Sequence, residues 1–292
     1  MAQHMTAAAT EPCAEGVERL LEDLRRRCGL KRDELLARKV VGVLRQHAAA
    51  ERKAWVEDLL GRPAHDPRWL AFVETVTVHE TYFFRDPDQL EVLRRAILPA
   101  LLAERARRGR RRLDIWSAGC ASGEEAYTVA ILVLDALAEA GEDPDLWSLH
   151  VLGTDISRTV IARAEDGVYG GPGLDAFRRL PDRYAAWFVA APEAGGQCRR
   201  VCPEVMRRVS FRQHNLMDRD PPEAGFDLAL CRNVFIYFDE DGQERAIAML
   251  RRGLAEPGYL LLGVTDRLAS DSGFVRAATG TAVIYEKRES AP

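Results

Sequence analysis

LDIWSAGCASGEEAYTVAILVLDAL, residues 113–137, is the stretch that decides the fold. The apolar run 113–118 predicts a buried strand, and the small residues 119–123 predict a loop. Glu124 and Glu125 suit a first helical turn because acidic side chains face the positive end of the helix dipole. Apolar residues then recur at helical spacing. Strand, glycine loop and helix in this order begin many nucleotide-binding α/β domains.

The glycine loop differs from the dinucleotide-binding fingerprint, which needs three glycines at fixed spacing and an acidic residue about 20 positions further on. Here Gly119 and Gly123 stand four apart, and the next acidic residue at a predicted strand end is Asp155. This order occurs both in NAD enzymes and in methyltransferases that use S-adenosylmethionine, and in both the acidic residue can bind ribose hydroxyls. An ordinary turn without a ligand also fits the loop taken alone.

Composition excludes several classes of protein. The 292 residues are enough for one large and one small domain, and 47% apolar with 29% charged residues is typical of a globular protein. The net charge of −4 gives no bias toward nucleic acid. No apolar run approaches the roughly 20 residues of a membrane span, and the N-terminus lacks a signal-peptide pattern. We therefore expect a cytoplasmic protein without nucleic-acid binding or membrane insertion.

The six cysteines predict free thiols rather than a metal site. Cys198 and Cys202 stand four apart, but no second pair of cysteines or histidines lies near them at zinc spacing. Cys120, inside the glycine loop, is expected to serve as a small packing residue and not as a nucleophile.

The first part of the chain predicts a leader over 1–16 and a helical domain over 17–78, with apolar stripes at helical spacing. Residues 17–62 hold 12 Arg and Lys against 8 Asp and Glu. The adjacent Arg25, Arg26 and Arg27 cannot all face the core, so solvent exposure and a docking face for an acidic partner both remain open. The basic run 105–112 predicts a solvated loop, since no aromatic residues interleave as a base-stacking surface requires.

Polar residues follow the predicted strands of the remaining chain. Glu124, Asp155, Asn215, Arg232 and Asn233 all come at or just after strand ends. Ligands of open α/β sheets bind outside the carboxyl ends of the strands, so these side chains are expected to converge. Residues 168–208 interrupt the strand–helix rhythm and predict an inserted subdomain. A last strand at 281–286 predicts a terminal hairpin, which is common in methyltransferase sheets.

Five blocks resemble the CheR family of chemotaxis protein-glutamate O-methyltransferases. They are HETYFFRD (79–86), WSAGCASGEEAYTVA (116–130), GTDIS (153–157), HNL (214–216) and CRNVFIYFD (231–239). The resemblance implies a Rossmann-like α/β methyltransferase sheet, with an N-terminal all-helical domain and a small β-subdomain inserted at about 168–208 of a 79–292 catalytic domain. It implies S-adenosylmethionine as methyl donor, S-adenosylhomocysteine as product, and the cytoplasmic helical region of a chemoreceptor or similar protein as substrate.

The resemblance also implies roles for individual residues. It assigns cofactor contact to Thr81, Arg85, Gly119, Glu124, Asp155, Asn215, Leu216, Arg232 and Asn233. Within that set, Asp155 would hold the ribose hydroxyls, and Asn215 with Leu216 would flank the adenine. Tyr237 would lie beside the reacting methyl group, and Arg85 would face the substrate carboxylate, which makes these two the expected catalytic residues.

Two departures and two alternatives qualify this resemblance. His79 stands where many relatives have Asn, and 263–266 is Gly-Val-Thr-Asp where the family often has Gly-His-Ser-Glu. A nucleic-acid amino-methyltransferase would carry an Asn/Asp-Pro-Pro-aromatic motif, and 233–237 lacks both prolines. A non-catalytic module that binds S-adenosylmethionine or S-adenosylhomocysteine in a chemotaxis-like pathway is the remaining alternative.

Overall fold

The structure, a computed structural model, describes residues 14–171, 175–194, 196–268, 272–277 and 282–287. Residues 1–13 of the predicted leader 1–16 lie outside the described residues. Its last three residues belong to the first helix, which begins at Ala14. Two compact units divide the chain. The first holds the described residues up to 78 together with 237–246, and the second holds 79–236 and the part after 246.

The first unit is helical. Its helices are α1 (Ala14–Cys28), α2 (Glu34–Arg45), α3 (Arg52–Leu60) and α4 (Pro67–Val76). Capping fixes two of the starts, because the Asp33 carboxylate accepts the Leu36 N–H at 2.8 Å and the Asp66 carboxylate accepts the Arg68 N–H at 2.8 Å. The stripes predicted from the sequence are buried in its core, among them Leu20, Leu24, Leu44, Trp69 and Val73.

The three adjacent arginines of α1 already have acidic partners within this unit. Arg25 pairs with Glu22 at 2.7 Å, and Arg26 pairs with Asp23 at 2.5 Å. Arg27 also pairs with Asp23, at 2.8 Å, and lies 4.5 Å over the Trp69 ring. Much of the positive charge of this stretch is therefore compensated inside the unit.

The second unit is built on a seven-stranded sheet. Its strands are β1 (Arg112–Ala118), β2 (Ser148–Asp155), β6 (Val209–Gln213), β7 (Phe226–Cys231), β8 (Leu254–Leu262), β9 (Phe274–Arg276) and β10 (Ile284–Lys287). They run in the order β6-β2-β1-β7-β8-β10-β9. The five strands from β6 to β8 in this order are parallel to one another, whereas β10 pairs antiparallel with both β8 and β9. The predicted methyltransferase-type sheet and its terminal antiparallel hairpin are confirmed.

Helices connect and cover these strands. They are α5 (Pro87–Val92), α6 (Leu98–Arg107), α7 (Glu124–Glu139), α8 (Arg158–Asp166) and α9 (Pro203–Met206). A further helix, α10 (Glu240–Gly253), begins in the first unit and ends in the second. A π-helical turn, Leu93–Ile97, joins α5 to α6 just before Pro99, whose ring and missing N–H disrupt regular α-helical bonding. Within the described residues, no helix has both the length and the apolar character that crossing a bilayer requires.

The basic run 105–112 is only in part the solvated loop that was predicted, since 107–112 is exposed but the run begins inside a helix. Helix α6 extends to Arg107, and the Arg105 guanidinium pairs with Asp227, which is buried at the start of β7. Asp227 also accepts the Asp114 N–H at 2.9 Å. A buried carboxylate needs such partners because a buried charge without them is strongly destabilising. Arg105 therefore stabilises the fold by compensating the charge of Asp227.

The insertion is a three-stranded antiparallel sheet with order β3-β5-β4, as expected of a small β-subdomain. Its strands are β3 (Val168–Tyr169), β4 (Phe188–Ala190) and β5 (Arg199–Val201). Aromatic side chains attach it to the segment before α5. The Phe83 ring lies 4.8 Å from Tyr169, 4.7 Å from Phe188 and 5.3 Å from Phe177, measured between ring centroids.

Candidate functional site

The strand register brings the predicted polar residues of the second unit to one edge of its sheet. Ala118 pairs with Thr154, so the loop after β1 lies beside the end of β2. Both Gly119 and Cys120 donate their N–H groups to the Thr154 carbonyl, at 2.8 and 2.9 Å. Asp155 pairs with Gln213, which places the segment after β6 next in line. Carboxyl ends of parallel strands are where α/β sheets bind ligands, so this edge is the candidate site.

The glycines of the loop are required by the protein's own packing. Gly119 has φ +77°, and a Cβ there would lie 2.5 Å from Cγ2 of Val234. Gly123 has φ +93°, and a Cβ there would lie 2.7 Å from Cβ of Ala164. The loop is thus packed tightly against its neighbours.

Asp155 is the buried acidic residue of this edge. Its Oδ2 accepts the Ala121 N–H at 3.0 Å, and its Oδ1 accepts the Ser157 N–H at 3.0 Å. Burial raises the pKa of Asp155, while His79, with Nδ1 3.7 Å from Oδ1, acts against this shift. An ionised carboxylate offers about four acceptor positions, and the N–H groups of Ala121, Ser157 and Ile156 use three of them, so about one is left for a hydroxyl group of a ligand.

The two glutamates that begin α7 have different surroundings. Glu124 is buried, accepts the Ser122 hydroxyl at 2.8 Å and has a pKa raised by burial. Glu125 accepts the Ser117 hydroxyl at 2.7 Å and the Nη1 of Arg232 at 3.2 Å. The sequence analysis predicts a role in the site for Glu124 but not for Glu125. Glu125 is noted there only as an acidic residue in the first helical turn, a position where such residues are common.

Arg232 is buried, and its guanidinium donates hydrogen bonds to the segment before α5 and to α5 itself. Its Nη2 donates to the Arg85 carbonyl at 2.6 Å and to Asp86 at 3.1 Å. Its Nε donates to the side-chain oxygen of Gln89 at 3.1 Å. The sequence predicts Arg232 as a cofactor contact, and nothing in the sequence marks Gln89.

The segment that carries Thr81 and Arg85 is anchored by its aromatic residues. The Phe84 N–H donates to the Thr128 hydroxyl at 3.2 Å, and its ring stacks on Tyr184. Arg85 is half-buried, and its guanidinium donates to the Glu80 carbonyl at 2.8 Å. Among the residues that the structure describes, no carboxylate forms an ion pair with Arg85.

The segment after β6 forms a tight turn. The Asn215 side-chain oxygen accepts the Met217 N–H at 3.0 Å, and Leu216 is buried. The preceding His214 donates its N–H to the Asp155 carbonyl at 2.9 Å, which ties this turn to β2. Asn215 and Leu216 therefore lie at the same edge as Asp155.

Backbone strain marks the same edge. In the described chain, positive φ at non-glycine residues occurs at Phe84, Asp86, Ala121 and Asn233, with values between 47° and 60°. Two of them flank Arg85, one lies in the glycine loop, and one follows Arg232. Such conformations cluster at functional sites, where the surrounding structure holds them in place.

Tyr237, the second expected catalytic residue, belongs to the other unit. Its main-chain carbonyl accepts the Lys31 N–H at 2.9 Å within the first unit. The structure thus gathers the other predicted residues in the second unit, from Thr81 to Asn233, and places Tyr237 in the first.

Comparison with known proteins identifies the family of this chain. Residues 79–284 match the family described as CheR methyltransferase, SAM binding domain. A chemotaxis protein methyltransferase of Vibrio parahaemolyticus is 34% identical over 203 residues, covering 68% of each chain. A probable chemotaxis protein methyltransferase of Rhizobium etli is 32% identical over 218 residues, 75% of this chain and 78% of that one. An uncharacterized 104.1 kDa protein of Rhodobacter capsulatus is 36% identical over 205 residues, 70% of this chain but 20% of that protein. With most of its length matched in this way, the chain belongs to the CheR family of S-adenosylmethionine-dependent methyltransferases.

Proposed function

We propose that this methyltransferase transfers the methyl group of S-adenosylmethionine to glutamate side-chain carboxylates of a chemoreceptor or a related signalling protein. The observation that carries the proposal is the state of Arg85. It lies on a segment fastened to the carboxyl edge of the sheet, and it has no ion pair with a carboxylate of the described residues. Its guanidinium is therefore available to an incoming carboxylate. The names of the relatives from Vibrio parahaemolyticus and Rhizobium etli support the same class of substrate.

The donor set of this edge fits S-adenosylmethionine. The acceptor position left on Asp155 suits a ribose hydroxyl, and the buried carboxylate of Glu124 suits a cationic part of the ligand. Leu216, buried beside the Asn215 turn, suits the apolar face of the adenine. When bound, the cofactor supplies a methyl group that its sulfonium activates for transfer.

The residues of the chain then have mainly to bind and orient. A glutamate side chain has a reference pKa near 4.3, so it is already ionised at neutral pH and needs no general base. Arg85 would hold this carboxylate by charge-assisted hydrogen bonds. Holding the oxygen in line with the methyl group is the main contribution, since orientation alone can supply much of a rate enhancement.

The test combines cofactor binding with transfer of a labelled methyl group to receptor fragments. Asp155→Ala should abolish S-adenosylhomocysteine binding in calorimetry. Arg85→Ala should slow transfer by about 10- to 100-fold more than it weakens cofactor binding, since hydrogen bonds to charged groups contribute about 1.5–3 kcal/mol. Arg95→Ala is the matched control, because Arg95 is exposed and pairs with Glu91.

Each other outcome has a distinct meaning. Cofactor binding without base-labile methyl incorporation into any receptor fragment would favour the non-catalytic regulatory module. Unchanged transfer in Arg85→Ala would overturn the role given to the guanidinium. Failure to bind either cofactor form would refute the proposal at its first step.

A further inference from the structure

We propose that Gln89 and Glu125 are positioning residues for methyl transfer. They orient the buried guanidinium of Arg232, and Arg232 fixes the main chain of Arg85 at the carboxyl edge of the sheet. This inference rests on the proposed function, because it gives Arg85 the substrate-binding role described above.

The hydrogen bonds of Arg232 show what this side chain holds. A guanidinium has five N–H donors, and four contacts engage it here: Gln89 at 3.1 Å, Glu125 at 3.2 Å, the Arg85 carbonyl at 2.6 Å and Asp86 at 3.1 Å. Its side chain is only 2% exposed. At most one N–H is then left for a ligand. Arg232 therefore acts on the substrate mainly by holding the main chain at Arg85 and Asp86 in place.

Gln89 can take only one orientation in this network. Its side-chain N–H donates to the Leu262 carbonyl at 3.0 Å, and its oxygen accepts from Arg232. A carbonyl only accepts and a guanidinium only donates, so reversing the amide would break both bonds. Gln89, which is buried, therefore links α5, the end of β8 and the residue after β7 in a single geometry.

Glu125 holds the other side of the guanidinium. One of its oxygens accepts the Ser117 hydroxyl at 2.7 Å, and the other accepts Nη1 of Arg232. Ser117 lies in the buried strand β1, next to the start of the glycine loop. Glu125 thus fixes the orientation of the Arg232 guanidinium relative to both β1 and α7.

The segment that Arg232 holds, 84–86, has a strained backbone conformation. Phe84 and Asp86, on either side of Arg85, have φ of 57° and 55°. A bulky residue such as Phe is rarely found there, and strained positions persist only where surrounding contacts hold them. The bonds from Arg232 to the Arg85 carbonyl and to Asp86 fall on this strained stretch.

The experiment is a double-mutant cycle between Gln89→Met and Arg85→Ala. Gln89→Met keeps the length of the side chain but removes both hydrogen bonds. It should lower kcat/KM for the receptor fragment about tenfold or more while the affinity for S-adenosylhomocysteine changes less than about threefold. In the Arg85→Ala background, Gln89→Met should have almost no further effect on transfer, because residues that act through one another are not additive.

Two additions separate positioning from simple loss of stability. Glu125→Gln keeps an acceptor for Arg232 and should retain more activity than Glu125→Ala. The control Gln46→Met lies at the exposed end of α2 in the first unit and should leave transfer unchanged. Hydrogen exchange of the peptide over 80–88 should accelerate in Gln89→Met and not in the control.

The outcomes distinguish this inference from the proposed function. Absence of transfer by the unsubstituted chain refutes the proposed function, and hydrogen exchange then still tests the positioning. Multiplicative effects of Gln89→Met and Arg85→Ala, or unchanged exchange over 80–88, overturn the inference even if the unsubstituted chain methylates its receptor.

Discussion

Gly119→Ala tests whether the glycine loop is shaped by the protein itself. The new Cβ would lie 2.5 Å from Cγ2 of Val234, whereas carbon atoms in contact are normally about 3.5–4.0 Å apart. Val234 is a branched side chain directly after Asn233, whose φ is 60°. Relief of the overlap therefore requires movement next to a residue that is already strained.

The expected cost has two parts that a control can separate. A side chain at φ +77° costs about 1–2 kcal/mol in the left-handed region. Overpacking against Val234 adds about 1–3 kcal/mol. Gly109 has φ +68°, and an added Cβ there would meet nothing within 4 Å, so Gly109→Ala carries only the first part. The difference in unfolding free energy between the two variants should thus be about 1–3 kcal/mol.

Urea unfolding of the two variants, with S-adenosylhomocysteine titration alongside, measures this difference. Adding Val234→Ala to Gly119→Ala should remove most of the overlap and recover much of the lost stability, apart from the cavity that Val234→Ala creates by itself. Gly119→Ala should also weaken cofactor binding, since Asn233 is an expected contact, while Gly109→Ala should not. Equal urea midpoints for Gly119→Ala and Gly109→Ala would refute the packing argument.

Three further predictions concern buried and paired groups. Arg105→Met should destabilise the chain by about 3–5 kcal/mol in urea because it leaves Asp227 buried without its cationic partner, whereas Arg108→Ala, at an exposed pair with Glu104, should cost less than about 1 kcal/mol. The hydrogen bond from Arg94 lowers the pKa of Glu91 from 4.5 to about 2, so its ionised form stabilises the fold above pH 4.5 and this contribution is lost as the pH falls through 2. Glu91→Gln should therefore flatten the pH dependence of unfolding in that window, by a modest amount because Glu91 is half-exposed. Burial raises the pKa of the Cys120 thiol, so iodoacetamide should label Cys198 well before Cys120 in the native chain, as peptide mass spectrometry would show.

The central βαβ arrangement was predictable because its signals are local. The strand over 113–118, the loop at Gly119 and Gly123 and the apolar face of α7 all follow from residue spacing within the single stretch 113–137. Parallel pairing then places the end of β2 beside the end of β1, which brings Asp155 to the loop without further information. The candidate edge of the sheet could be predicted for this reason.

The contacts that support this edge could not be predicted, since they join residues far apart in sequence. Gln89 meets Arg232 across 143 positions, and Arg105 meets Asp227 across 122. The lack of interleaved aromatic residues suggested a solvated loop for the region of Arg105. The pair with Asp227 was missed because a buried aspartate cannot be recognised in a pattern of hydrophobic strand residues. Spacing also fails to distinguish Glu124 from Glu125, which differ in the partner that each side chain reaches.

Arg85 and Arg232 show why partners must be known before a role is assigned. Both are arginines of conspicuous motifs, and both lie at the carboxyl edge of one sheet. Arg232 directs its donors to Gln89, Glu125 and the segment of Arg85, and its charge is balanced by two carboxylates. Arg85 is half-buried and donates to a neutral carbonyl. A substrate carboxylate would therefore gain most from Arg85, while Arg232 is already satisfied. The same residue type thus supplies support at Arg232 and, in the proposed function, the substrate-binding group at Arg85.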